Sequence, residues 1–294
     1  MTRIDRNRWL DILRATWSEI GADQASIVAS GVAFRVALAL FPGVALLVWV
    51  ASRTIGPEEA KSLVGTLSDI VPDASRSIIA NAVDSALRSN PADAKAEAPW
   101  LGGFAPVLGL VVTLWTTNSG TKALFAALNI VYDKEEGRGF LRRTVLTLMF
   151  TLGTLLLLVL AVGTLLASPV ILSRIGLGDV AAAAVHWLRW PVLFVGFAPS
   201  LSLLYRYAPH RRREHWPLVT VGSALAAGLL ALGTALFSWF TERFMGLSAT
   251  YGSLSTVVAF LLWLWVDFLI VLACAELDSE IERKTGLYGR RAAR

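Results

Sequence analysis

The chain has 294 residues, 55% of them hydrophobic and 17% charged, with a mean hydropathy of +0.59. Soluble chains carry about 25% charged residues, so a soluble domain is excluded; apolar stretches of about 18–20 residues point instead to a polytopic helical membrane protein. The net charge of +5 matters less than where it is placed, and a single cysteine, Cys274, excludes an internal disulfide and a cysteine-built metal site.

The first residues, MTRIDRNRWLDILRATW, hold no apolar core followed by a small-residue cleavage site, so no cleaved signal peptide is expected. Residues 8–20 place Leu10, Leu13, Trp17 and Ile20 at helical spacing, with Asp11 and Arg14 between them. This pattern predicts a short amphipathic helix on the cytoplasmic membrane surface within an N-terminal unit, 1–29. Six spans follow, at about 30–52, 103–131, 143–168, 186–205, 217–240 and 252–275. They make up a membrane unit over 30–282, followed by a basic tail over 283–294. The connection 53–102 contains PEEAKSLVGTLSDIV and PDASRSIIANAVDSALRSN, which predict two amphipathic helices in an outer loop, and NPADAKAEAP reads as a linker. The halves of the chain show no convincing repeat.

Basic residues cluster in alternate connections. Arg3, Arg6, Arg8 and Arg14 precede the first span, and Lys134, Arg138, Arg142 and Arg143 follow the second. Arg206, Arg211, Arg212 and Arg213 follow the fourth, and Arg283, Lys284, Arg290, Arg291 and Arg294 follow the sixth. The other two short connections hold only Arg174 and Arg243. Basic residues mark the cytoplasmic side, so both termini are expected there, as an even span count requires. Most tryptophans near span ends fit interfacial positions: Trp49, Trp100, Trp187, Trp190 and Trp239 at outer ends and Trp216 at an inner one.

The second span poses a question. Its apolar run, 103–115, is only thirteen residues, so TTNSGTK must lie at membrane depth. As a helix, Asn118, Lys122, Phe125 and Asn129 share one stripe, with Asp133 near its end. Two readings stay open: a water-filled cavity or substrate path, or helix joining through Asn, Ser, Thr and Gly with Lys122 snorkelling to the headgroups. Arg35 near the inner end of span 1 either snorkels or pairs within the bundle, and Asp267 inside span 6 either pairs with Arg35 or Lys122 or is protonated. Glu276, Asp278 and Glu280 form an acidic cluster at the inner end of span 6, where solvation or pairing with basic loops is favoured over a cation site.

Several of these pieces together resemble the YihY/BrkB family of bacterial inner-membrane proteins. They are AFRVALALFPG (33–43), NSGTKALFAALNIVYD (118–133), LYRYAPHR (204–211), the spacing of Trp216 to Gly222, FSWFTERF (237–244), YGSLSTVVAFLLWLW (251–265) and AELDSE (275–280), in family order. This chain departs from the family at Arg35 and Ala39, where an aromatic and a serine are common, and at Asp278, where asparagine is common. The resemblance implies an all-α, six-span inner-membrane protein with cytoplasmic termini. It brings three functional labels: ribonuclease, virulence or serum resistance, and transport, including lipid movement.

The residues themselves weigh against an enzyme. A metal-dependent nuclease needs clustered His, Asp and Glu; the three histidines here are His186, His210 and His215, without such a cluster. The loop YAPHRRREHW reads as an anchor to anionic lipid headgroups through Arg206, Arg211, Arg212 and Arg213 rather than as a nucleic-acid site. A phosphate-binding glycine loop is absent from the sequence. No cofactor, metal or nucleic-acid partner is expected. The favoured function is handling of an anionic lipid or solute along Arg35, Asn118, Lys122, Asn129 and Asp267. The alternative is a non-transporting envelope scaffold.

Overall fold

A computed structural model describes residues 6–54, 105–174, 194, 196–211, 217–244 and 253–285. The described chain is all-α, with no strand among these residues. Its helices are α1 (Arg6–Ala22), α2 (Ala25–Thr54), α3 (Ala105–Val131), α4 (Phe140–Arg174), α5 (Val221–Phe244) and α6 (Ser253–Thr285). A further helical segment, 196–207, precedes α5. Five of the six spans coincide with these helices, and the fourth is described over its C-terminal half. The outer loop beyond residue 54, Arg212, Arg213 and the tail beyond 285 lie outside the described residues.

Among the described residues, three helices are long and apolar enough to cross a bilayer, over Phe140–Leu157, Val221–Phe240 and Val257–Thr285. The pair Asn7–Ala22 and Ala25–Leu40, bent by 62°, adds a fourth if taken as one span. The bend falls at Gln24, whose φ of 50° lies in the left-handed region and stops the helix.

Local chemistry sets the other ends. Asp133 (φ 50°) closes α3: Lys134 N donates to Asn129 O at 2.8 Å and Asp133 N to Ile130 O at 2.8 Å, the bond pair of a Schellman motif. Thr220 caps α5, its hydroxyl accepting from Ser223 N at 3.0 Å while Thr220 N donates to Ser223 Oγ at 2.9 Å.

The core uses small residues. Ala29 and Val32 of α2 meet Ala123, Phe125, Ala127 and Leu128 of α3, with Ala198, Leu201 and Leu204 from the segment before α5, Ala226 and Ala227 of α5, and Leu272 and Ala275 of α6. Alanine brings helices close enough for dispersion to hold them where lipid offers no hydrophobic gain. Gly120 does the same between α2 and α3: a Cβ there would lie 3.2 Å from Val36 Cα.

The N-terminal helix packs on α6 through a stripe beside the one its periodicity picks out. Ile12 and Thr16 are buried, and Ile12 packs with Leu277 and Ile281 of α6 beside Trp9. Leu10, Leu13 and Trp17 stay exposed, Trp17 by 79%. The helix is apolar on two adjacent faces: one packs on α6, and the other, the face expected to meet the membrane surface, stays exposed.

Candidate functional site at the basic end of the bundle

The polar run of α3 makes an internal network. Asn118 is fully buried; its Nδ2 donates to Thr147 Oγ1 of α4 at 3.1 Å and its Oδ1 accepts from Thr151 Oγ1 at 3.0 Å. Thr121 and Thr151 share a hydroxyl hydrogen bond of 2.7 Å. Thr147 and Thr151 are a helical turn apart, so TVLTLMFT carries a polar stripe that faces Asn118. That spacing is visible in the sequence and marks the stripe, but does not show that it faces Asn118.

Lys122 does not share this network. Its ammonium lies 3.8 Å from the Trp115 ring centroid and 6.0 Å from that of Phe140, which is 71% exposed. Arg35 is exposed, and Asp267 Oδ1 is buried without a hydrogen-bond partner. Among the described residues no ion pair joins Asp267 to Arg35 or Lys122. The five residues proposed to line one path therefore fall in separate surroundings.

At the basic end the family-like segments meet. Asn129 Oδ1 accepts from His210 N at 2.8 Å, and its Nδ2 donates to Glu136 Oε2 at 3.2 Å. Gly137 N donates to His210 Nδ1 at 3.1 Å, and a Cβ on Gly137 would lie 2.6 Å from the imidazole Cε1, so the close approach requires glycine. Arg138 pairs with Glu136 at 2.8 Å and donates to the carbonyls of Tyr207 and Ala208. Burial works to raise the Glu136 carboxyl, but Arg138, with help from Asn129, outweighs it and holds Glu136 below its ordinary 4.5.

Arg211 is similarly committed. It pairs with Glu282 at 2.9 Å, donates to Tyr205 O at 3.1 Å and lies 3.6 Å over the Tyr132 ring. Burial lowers it to about 10, against the opposing pull of Tyr132 and Asp278, so it stays charged at neutral pH. Tyr205 itself donates to Val271 O at 2.8 Å, tying the 196–207 segment to α6.

The acidic cluster on α6 is buried rather than solvated. Asp278 accepts from Gly222 N at 2.8 Å and from the Thr220 hydroxyl, placing a carboxylate at the positive end of α5. Gly222 has no room for a side chain, since a Cβ would lie 2.6 Å from Asp278 Cγ. Glu280 pairs with Arg283 at 3.2 Å and Lys284 at 3.7 Å, and Arg283 also reaches Asp133 of the α3 end at 3.2 Å. Glu276 is 1% exposed, with Oε1 unbonded. No group of three or more His, Cys, Asp or Glu among the described residues is arranged to hold a metal.

Beside this knot lies a cleft of about 1180 Å³. One wall is the start of α4, with Arg138, Phe140, Leu141, Arg142, Val145 and Met149; the other is Arg206, Tyr207, Pro209, His210 and Arg211. Arg206 rests on Tyr207, 5.1 Å from its centroid. The cleft is basic at its rim and apolar along α4. Arg206 and Arg211 were singled out from the sequence; Arg142 was noted only as a topology marker, because nothing local shows that α4 and the 206–211 loop face each other.

Residues 16–294 match the family described as virulence factor BrkB. The chain is 21% identical over 286 residues to YfkH of Bacillus subtilis, whose name calls it ribonuclease-like, covering 95% of this chain and 98% of that one. It is 26% identical over 267 residues to a UPF0761 membrane protein of Methylibium petroleiphilum, and 26% over 276 residues to one of Verminephrobacter eiseniae. These alignments cover 90% and 92% of this chain but 60% and 61% of the two relatives, so it spans under two thirds of their length. No solved structure matches it. With nearly the whole chain matched, and with the motif-bearing segments folded onto one another, the protein belongs to the virulence factor BrkB family of membrane proteins.

Proposed function

We propose that this protein is a six-span inner-membrane protein with cytoplasmic termini that moves or presents an anionic lipid, acting as a transporter or flippase-like protein and not as an enzyme. The observation that supports this most is the cleft between α4 and the 206–211 loop, which couples an arginine rim to an apolar wall. An anionic headgroup suits the first and acyl chains suit the second. The positive-inside rule puts that end at the cytoplasmic leaflet.

The test is transfer in proteoliposomes. Vesicles holding the purified protein and a headgroup-tagged anionic lipid are challenged with a membrane-impermeant quencher. Protein should speed exchange of the tagged lipid between leaflets, and Val145→Trp, which fills the cleft, should slow it. Exchange no faster than in protein-free vesicles would refute the proposal.

A second reading, a non-transporting envelope scaffold, draws on the Asn118 network. Hydrogen bonds between Asn118 of α3 and Thr147 and Thr151 of α4 favour it, since they join helices. The ribonuclease-like name of one relative draws little support from His210, whose Nδ1 accepts from Gly137 N–H and holds the ring against the connection between α3 and α4.

A further inference from the structure

Four arginines line the cleft, but they are not equivalent. Arg138 is neutralised by Glu136 and spends two further donors on the Tyr207 and Ala208 carbonyls. Arg211 is neutralised by Glu282 and covered by Tyr132. These two build the cleft by pinning the 206–211 loop against α4 and the end of α6. Arg142 and Arg206 make no ion pair among the described residues. Arg142 is exposed on the first turn of α4, and Arg206 is half-buried, its plane supported by Tyr207. Among the described residues, the cleft's positive charge without an ion-pair partner is therefore concentrated at these two guanidinium groups. The first-turn amides of α4 add to the same field.

The apolar wall decides what kind of anion fits. Val145 and Met149, 49% and 64% exposed, line the cleft one and two turns along α4 from Arg142, and Phe140 and Leu141, 71% and 75% exposed, line it at the start of the helix. A soluble phosphate would leave that surface unused; a diacyl lipid covers it. Guanidinium groups pair with phosphate through two parallel N–H···O bonds, a geometry lysine does not reproduce.

We propose that Arg142 and Arg206 form the headgroup site for an anionic phospholipid of the cytoplasmic leaflet, its phosphate between the two guanidinium groups and an acyl chain against Val145 and Met149. This rests on the lipid reading above and names its site; Arg138 and Arg211 are positioning residues.

The test is lipid retention by the full chain, released from nanodiscs of phosphatidylcholine doped with phosphatidylglycerol and followed by native mass spectrometry. Arg142→Gln with Arg206→Gln should weaken phosphatidylglycerol binding by about tenfold or more, the range for losing charge-assisted hydrogen bonds. Met149→Trp should weaken it while leaving the arginines in place. Lys134→Gln, an exposed cation outside the cleft, should leave it unchanged, and glycerol phosphate should not compete. Equal retention by the double variant, an equal loss with Lys134→Gln, or full competition by glycerol phosphate would each overturn the site. Leaflet exchange measured on the same variants separates the two proposals. Equal retention by the double variant, with exchange present in the wild type, refutes this site and spares the function. Retention at the site without exchange in the wild type refutes transfer and spares the site.

Discussion

Removing Asp278 should loosen the junction between α5 and α6. Its carboxylate is fully buried and accepts from Gly222 N–H at 2.8 Å and from the Thr220 hydroxyl. In Asp278→Ala the Gly222 amide is left buried without a partner, which costs about 1–3 kcal/mol. Loss of the negative charge at the start of α5 adds about 0.3–1 kcal/mol, and relief from burying a carboxylate returns part of this. The net expectation is about 1–3 kcal/mol. Asp278→Asn keeps an acceptor for Gly222 N–H but turns an NH₂ group towards Thr220 Oγ1, which already accepts from Ser223 N. The Thr220 hydroxyl then loses its acceptor, so this variant should cost about 1 kcal/mol, one ordinary hydrogen bond. Unfolding in mixed micelles against SDS mole fraction, followed by tryptophan fluorescence, should rank wild type above Asn and Asn above Ala. A wild-type midpoint for Asp278→Ala, or an Asn variant weaker than Ala, would refute this account of the α5 cap.

Two further outcomes follow from the same contacts. Asn118→Ala should cost about 1.2 kcal/mol, from two inter-helix bonds at about 0.6 kcal/mol each in a membrane protein. A double-mutant cycle with Thr151→Val should recover about half of that as coupling; zero coupling, with a cysteine at 118 labelled by a charged aqueous thiol reagent, would mean a wet path instead. Glu136 gives an acid limb. Its carboxyl is held below the ordinary value of 4.5 by Arg138 and Asn129, so its contribution is present above that value and is lost as pH falls through the lowered one. Unfolding midpoints taken from neutral pH downwards should fall, and Glu136→Gln should flatten that fall; an unchanged slope in the variant would rule Glu136 out as its source.

The helices were legible because lipid leaves few options. An apolar run at membrane depth must satisfy its backbone internally, and helix does so without a partner strand, so α2 to α6 follow from hydropathy and length alone. The end of α3 was less legible. A left-handed Asp133 is set by its Schellman bonds, and nothing in VYDKEE compels them. The polar run TTNSGTK left two readings open, because helical periodicity fixes which residues share a stripe but not what that stripe faces. Asn118 faces Thr147 and Thr151 of α4, while Lys122, one turn along, lies against Trp115.

By itself the sequence determined the class of protein and where its long apolar helices lie, since these depend on composition and local period. Tertiary structure alone decided which charges are spent and which are free. Glu136 stands two residues from Arg138, so that pair is local, but along the chain Arg211 looks no different from Arg206. Only folding brings Glu282, 71 residues on, against Arg211, and Coulomb attraction acts through distance in space, which sequence separation does not reveal.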